Sequence, residues 1–133
     1  MKTRQMLTLS DCKKIAAAAE AEAVKHNWAV TVAILDDGGI PLYLYRMDGA
    51  NALTAEIATQ KGRTAALSGR PSKFWEDRIK DGRLAMLGMP VLPVQGGMPI
   101  IVEGQRIGGV GVSGVQSHED EQVASAGIAA LGI

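Results

Sequence analysis

The segment Gly108-Gly109-Val110-Gly111-Val112-Ser113-Gly114 sets the tightest limit on how this chain can fold. Its valines give it the character of a strand, yet Gly108, Gly109 and Gly111 offer no side chain to either face. Glycine inside a strand marks a place where another backbone comes close. A helix, a ligand or a second subunit must therefore pack directly on it. Residues 109–114 also spell G-x-G-x-x-G. That dinucleotide fingerprint belongs to a strand-to-helix turn followed by a further βαβ unit. Here it falls within a strand, with too little chain after it. No G-x-x-x-x-G-K-[ST] loop is present either.

Two strand-turn-strand units frame the rest. Trp28 to Leu35 is apolar on both alternating faces, which predicts a central strand. Asp36-Asp37-Gly38-Gly39 turns it back into a strand from Ile40 to Arg46. Gly96-Gly97 leads into a second pair, Met98 to Val102 and Gln105 to Ser113, joined by Glu103-Gly104. A first helix is predicted from a Ser10 cap to about Asn27, with Cys12, Ile15, Ala16, Ala19 and Ala23 on one apolar stripe. A second covers Leu53 to Ser68 and stops at Gly69, with Pro71 beyond. A short third runs from a Ser72 cap to Lys80, and Arg83 to Gln95 is irregular. The last opens at Ser117, with Asp120 as its capping partner, and ends near Leu131. The order α-β-β-α-(α)-β-β-α predicts an α+β fold: one domain over residues 1–133, an antiparallel sheet flanked by helices.

Composition narrows the function classes. The 14 basic and 14 acidic side chains cancel, which argues against a nucleic-acid partner. Zero net charge also removes a repulsion between copies, so a homo-oligomer is expected. A single cysteine excludes a disulfide framework. No apolar run reaches the ~18 residues of a membrane span, and Met1 to Gln5 lack the apolar stretch of a signal peptide. The expectation is a cytoplasmic protein with no membrane partner. No metal site is expected. Cys12 and His26 share a helix stripe, but at about 1.5 Å per residue they lie about 21 Å apart. His118-Glu119-Asp120-Glu121 has no second His at i+4, and its acids suit a helix N-terminus. Cys12 reads as a small buried hydrophobe.

Lys61 carries more information. Ile57 and Ala58 lie one turn before it and Ala65 one turn after, so its side chain starts from an apolar face. Two readings stay open. The ammonium snorkels to the rim, or it is an anion-binding or catalytic lysine whose pKa burial lowers. Arg46, Asp48 and Arg63 are its natural companions. In that arrangement Lys61 and Asp48 are the catalytic pair, and Arg46 and Arg63 bind a carboxylate or the propionates of a tetrapyrrole. Gly96, Gly97 and Ser113 complete the candidate ligand-binding set, with backbone amides near Ser113 able to hold an anion.

Several motifs recur in an order that resembles a known family. They are Asp36-Asp37-Gly38-Gly39, Arg46-Met47-Asp48-Gly49, Ile57-Ala58-Thr59-Gln60-Lys61-Gly62-Arg63-Thr64-Ala65, Gly96-Gly97-Met98-Pro99 and the Gly108 to Gly114 segment, then Asp120, Ala124, Ala126 and Gly127. From about Leu7 to Leu131 the chain is similar to the GlcG/HbpS-like group, the haem-degrading or DUF336 family that includes the C-terminal domain of PduO proteins. The resemblance implies a profilin-like domain and homo-oligomers, dimers or octamers. It further implies binding of haem or a related tetrapyrrole, with a role in its degradation. The haem ligand differs between members. By chemistry the candidates are His26 and His118, then Cys12, Lys61, Tyr43, Tyr45 and the methionines. With only 4% aromatic residues, a haem site would be shallow or shared between subunits. Two alternatives stand beside this. One is an enzyme acting on a hydroxy acid or related carboxylate by proton transfer or elimination. The other is a structural oligomer whose Gly and Ala surfaces form the interface.

Overall fold

A computed structural model describes residues 1–133 and contains four α-helices and four strands: α1 (Leu9–Lys25), β1 (Thr31–Asp36), β2 (Pro41–Arg46), α2 (Leu53–Ser68), α3 (Ser72–Lys80), β3 (Gly97–Val102), β4 (Gln105–Ser113) and α4 (Ser117–Ala129). The irregular stretch before β3 holds a short 3-10 helix, Leu84–Gly88. The class is α+β, as the element order predicts. No helix is long and apolar enough to cross a membrane.

None of the three predicted serine caps holds: Ser72 makes no capping bond and is itself the first residue of α3, behind Pro71, and the other two are replaced by neighbours. Thr8, not Ser10, opens α1: its hydroxyl accepts from the Asp11 amide at 3.1 Å, and the Asp11 carboxylate accepts from the Thr8 amide at 2.8 Å. This reciprocal box satisfies two amides at the helix start. At α4, Glu119 rather than Asp120 accepts the Gln116 amide, at 3.2 Å. That leaves Asp120 free for a different partner.

The sheet runs β2-β1-β4-β3 with every pair antiparallel. The apolar stripe predicted for α1 is buried as read: Cys12, Ile15, Ala16, Ala19 and Ala23. With Val123 and Ala124 of α4 it covers one sheet face, through Val30, Val32, Ile34, Val110, Val112 and Ile100. Burial pushes the Cys12 thiol above its usual range, so it stays protonated and unreactive at neutral pH. On the opposite face Ala33 and Leu35 meet Ala58 and Ala66 of α2. Strand β1 is thus covered on both sides, which is why both of its faces are apolar. A bulge in β4 lets Ile100 pair with Gly108 but Ile101 with Arg106, so Ile107 joins the α1 face while Arg106 donates to the carbonyls of Asp37 and Ala66.

The glycine segment packs against a helix. A Cβ on Gly111 would overlap the Ala58 carbonyl, and one on Gly109 would lie 2.5 Å from the Gly62 carbonyl and 2.8 Å from the Ala66 amide nitrogen. Ala58, Gly62 and Ala66 recur every fourth residue, forming one ridge of α2. That ridge rests directly on the β4 backbone.

Candidate functional site

The residues grouped around Lys61 by sequence separate into three places. Lys61 itself is 2% exposed. Its ammonium donates to the Asp120 carboxylate at 3.0 Å and to the Val112 carbonyl at 3.1 Å. Helix α2 lies on one face of the sheet and α4 on the other, so this ion pair links both layers past the start of β3. Gly96 makes the passage possible: a Cβ there would stand 2.7 Å from Lys61 Nζ. Gly97, whose Cβ would overlap the Lys61 carbonyl, donates its amide to the buried Ser72 hydroxyl at 2.8 Å. Both glycines therefore accommodate Lys61 and Ser72. The other oxygen of Asp120 accepts the Val115 amide at 3.1 Å. Burial pushes the Asp120 carboxyl up, and the Lys61 ammonium and the Val115 amide pull it part of the way back.

Neither open reading of Lys61 describes this arrangement. The ammonium does not reach the rim, and it does not face Asp48. Its partner, 59 residues away, carries a local sequence signal that points to a helix cap instead. Arg63 lies on the exposed side of α2, in a groove of about 440 Å³ with Gln60, Thr64 and the Met89 to Leu92 segment. Ser113 is 7% exposed at the end of β4, paired with Thr31.

Arg46 and Asp48 do come together. They line a groove of about 570 Å³ between α1 and β2. Ala16 and Ala17 form the helix wall, Tyr43, Tyr45 and Met47 the strand wall, and Lys13 and Glu20 complete the lining. Tyr43 pairs with Ile34 and Tyr45 with Val32, which puts both rings on the α1 side of the sheet. The rings meet edge to face at 6.5 Å and 67°. Tyr45 donates its hydroxyl to the Ala16 carbonyl at 3.1 Å, and burial pushes its phenol well above the ordinary range. A hollow of about 200 Å³ continues the groove past Met47 and Asp48 to Asn27 and Trp28. Neither candidate histidine lines the groove. His26 caps the end of α1, stacks on Trp28 at 4.5 Å and faces Gln122 at 3.3 Å. His118 is exposed in the first turn of α4. Lys13 and the paired tyrosines are the groove residues that sequence alone did not assemble.

The fold has close counterparts. A family model described as haem degrading protein HbpS-like matches residues 7–129. The chain belongs to the HbpS-like family. Protein GlcG of Escherichia coli (strain K12) is 45% identical over 114 residues, covering 85% of each chain. The crystal structure of a double mutant of HbpS from Streptomyces reticuli matches with a TM-score of 0.90 and 32% identity, over 100% of this chain and 92% of that one. A PduOC:heme complex matches with a TM-score of 0.86 and 27% identity, over 95% of both chains. These relatives span nearly the whole chain and share its fold.

Proposed function

We propose that this protein binds haem or a related tetrapyrrole in the α1–β2 groove. The observation that carries the reading is the likeness to a PduOC:heme complex over 95% of the chain; the groove adds alanine and tyrosine walls, two cations, Lys13 and Arg46, and two carboxylates, Glu20 and Asp48. Ala16, Ala17 and the tyrosine rings suit an apolar macrocycle, and Lys13 and Arg46 suit its two carboxylates. Glu20 and Asp48 bring matching negative charge to the same lining, so the ligand's carboxylates must fall beside Lys13 and Arg46. Bound haem supplies a redox-active iron; the chain supplies the apolar wall and the cations. The description of the family as haem degrading extends the proposal to breakdown of the bound group. The paired alternative, Lys61 acting with Asp48 on a hydroxy acid, loses its support because those side chains do not meet.

Titration of hemin into the purified chain is expected to give a saturable Soret shift. Arg46→Ala should weaken binding about tenfold, the equivalent of one charge-assisted contact of ~1.4 kcal/mol. A linear, unsaturable signal would overturn the reading. Supplying a reductant and dioxygen should then bleach the Soret band and release iron if breakdown is part of the function.

The homo-oligomer is proposed to assemble through the open side of β2. Leu44 pairs with Ala33 and so lies on the α2 side, yet it is 43% exposed because α2 sits over β1 and β4. Leu53, at the start of α2, is 64% exposed. Light scattering should show a multimer that Leu44→Asp reduces in mass; an unchanged mass would remove β2 from the interface. A reducing, cytoplasmic setting is proposed from the lone unpaired Cys12.

A further inference from the structure

We propose that the N-terminal arm and the start of β4 form a separate binding site for a small dianionic oxyanion, a phosphoryl group or a dicarboxylate. The site is a hollow of about 470 Å³ lined by Lys2, Arg4, Gly104, Gln105 and Arg106. It shares no residue with the α1–β2 groove, and the two differ in charge. In that groove carboxylates match the cations. Three cations and no carboxylate line this hollow.

The fold holds both walls in place. Arg106 Nη1 donates to the Asp37 carbonyl at 3.0 Å and to the Ala66 carbonyl, in the last turn of α2, at 2.6 Å. Gly69 leaves room for the side chain: a Cβ there would stand 3.3 Å from Arg106 Cδ. Arg106 Nε and Nη2 have no acceptor in the protein and are not sealed from solvent. Those two nitrogens form one edge of the guanidinium, the fork that grips two oxygens of a carboxylate or phosphate. Glu103 and Gly104 take φ of 51° and 77°, the positive pair of a tight type I′ hairpin turn. On the arm, Leu7 packs against the α1-face core and Arg4 forms an ion pair with Asp37. Asp37 thus neutralises Arg4 while its carbonyl fixes Arg106. Glu103 lines the neighbouring hollow, not this one. Lys2 and Arg106 are left without a carboxylate partner, and two uncompensated cations match a dianion.

The test uses the whole chain, with nothing added before Met1, in mildly alkaline buffer held at constant ionic strength with chloride. Inorganic phosphate and malonate, both dianions there, are titrated separately by calorimetry. At least one should bind saturably, and the tighter of the two tells a phosphoryl ligand from a dicarboxylate. Lys2 is exposed on the arm, so Lys2→Ala should leave the fold intact and weaken binding about tenfold, the loss of one charge-assisted contact. Arg106→Lys keeps the charge but not the fork and should weaken binding by about as much, with a thermal melt to verify its fold. Lys25→Ala removes an equal charge from the exposed last turn of α1 and should change nothing. The site is overturned if neither probe saturates, if Lys2→Ala and Arg106→Lys both bind as the wild type does, or if Lys25→Ala loses as much as they do.

Discussion

Replacing Lys61 with Met should cost about 3–5 kcal/mol of stability, the usual effect of removing one partner from a buried ion pair. The loss comes from Asp120, left 2% exposed with its charge uncompensated, more than from the missing attraction. Asp120→Asn alone strands the ammonium and should cost a similar amount. The double variant Lys61→Met/Asp120→Asn removes both charges yet keeps an oxygen for the Val115 amide. It should recover at least half of the single-variant loss in urea denaturation. The deficit of Lys61→Met should also depend on pH. The folded Asp120 carboxyl is raised above its ordinary value of 3.8 by burial. A raised folded pKa means the native state holds the proton more tightly than the unfolded chain. The stability contribution of Asp120 is therefore fullest below that ordinary value and falls as pH rises through the folded pKa. Removing the Lys61 ammonium takes away the positive charge that pulls the carboxyl down, so this window moves to higher pH. The deficit should be largest at neutral pH and shrink on acidification, where Asp120 protonates. A loss under about 1 kcal/mol at neutral pH, as for an exposed pair, would show that the two charges are not desolvated.

Gly111→Ala should be comparably severe for a different reason. The added methyl would overlap the Ala58 carbonyl and stand against the Gly62 amide, both parts of the α2 backbone. Rotamer changes cannot relieve such a clash, so α2 must lift from the sheet. The cost should reach the top of the ~1–3 kcal/mol range for overpacked cores, or exceed it. Lifting α2 also disturbs the Lys61–Asp120 pair, which joins that helix to α4. Gly88→Ala is the matched control: a Cβ there meets nothing within 4 Å and should change stability by less than about 0.5 kcal/mol. A Gly111→Ala protein as stable as that control would mean that the helix is not seated on the strand.

Much of the fold was legible because it is written in short-range patterns. Cys12, Ile15, Ala16, Ala19 and Ala23 repeat with the helical period and are the buried side of α1. The two-sided apolar run of β1 announced a strand covered on both faces. The caps were misplaced by small steps, since Thr8 and Ser10, or Glu119 and Asp120, offer the same chemistry within a turn. The site was less legible. Arg46 and Asp48 lie within three consecutive residues and stayed together in the groove. Lys61 and Arg63 are almost as close in sequence, but two residues along a helix turn a side chain toward a different face. One is buried and the other exposed.

By itself the sequence determined the elements, the antiparallel pairing and the demand that some backbone press against Gly109 and Gly111. Those follow from periods of 2 and about 3.6 residues and from the missing Cβ atoms, all local properties of the chain. Only the tertiary structure decided that α2 meets that demand, that Asp120 answers Lys61 across 59 residues, and that Lys13 faces Tyr43 and Arg46 in one groove. Such meetings depend on how finished helices and strands stack, and no pattern within a single element encodes that geometry.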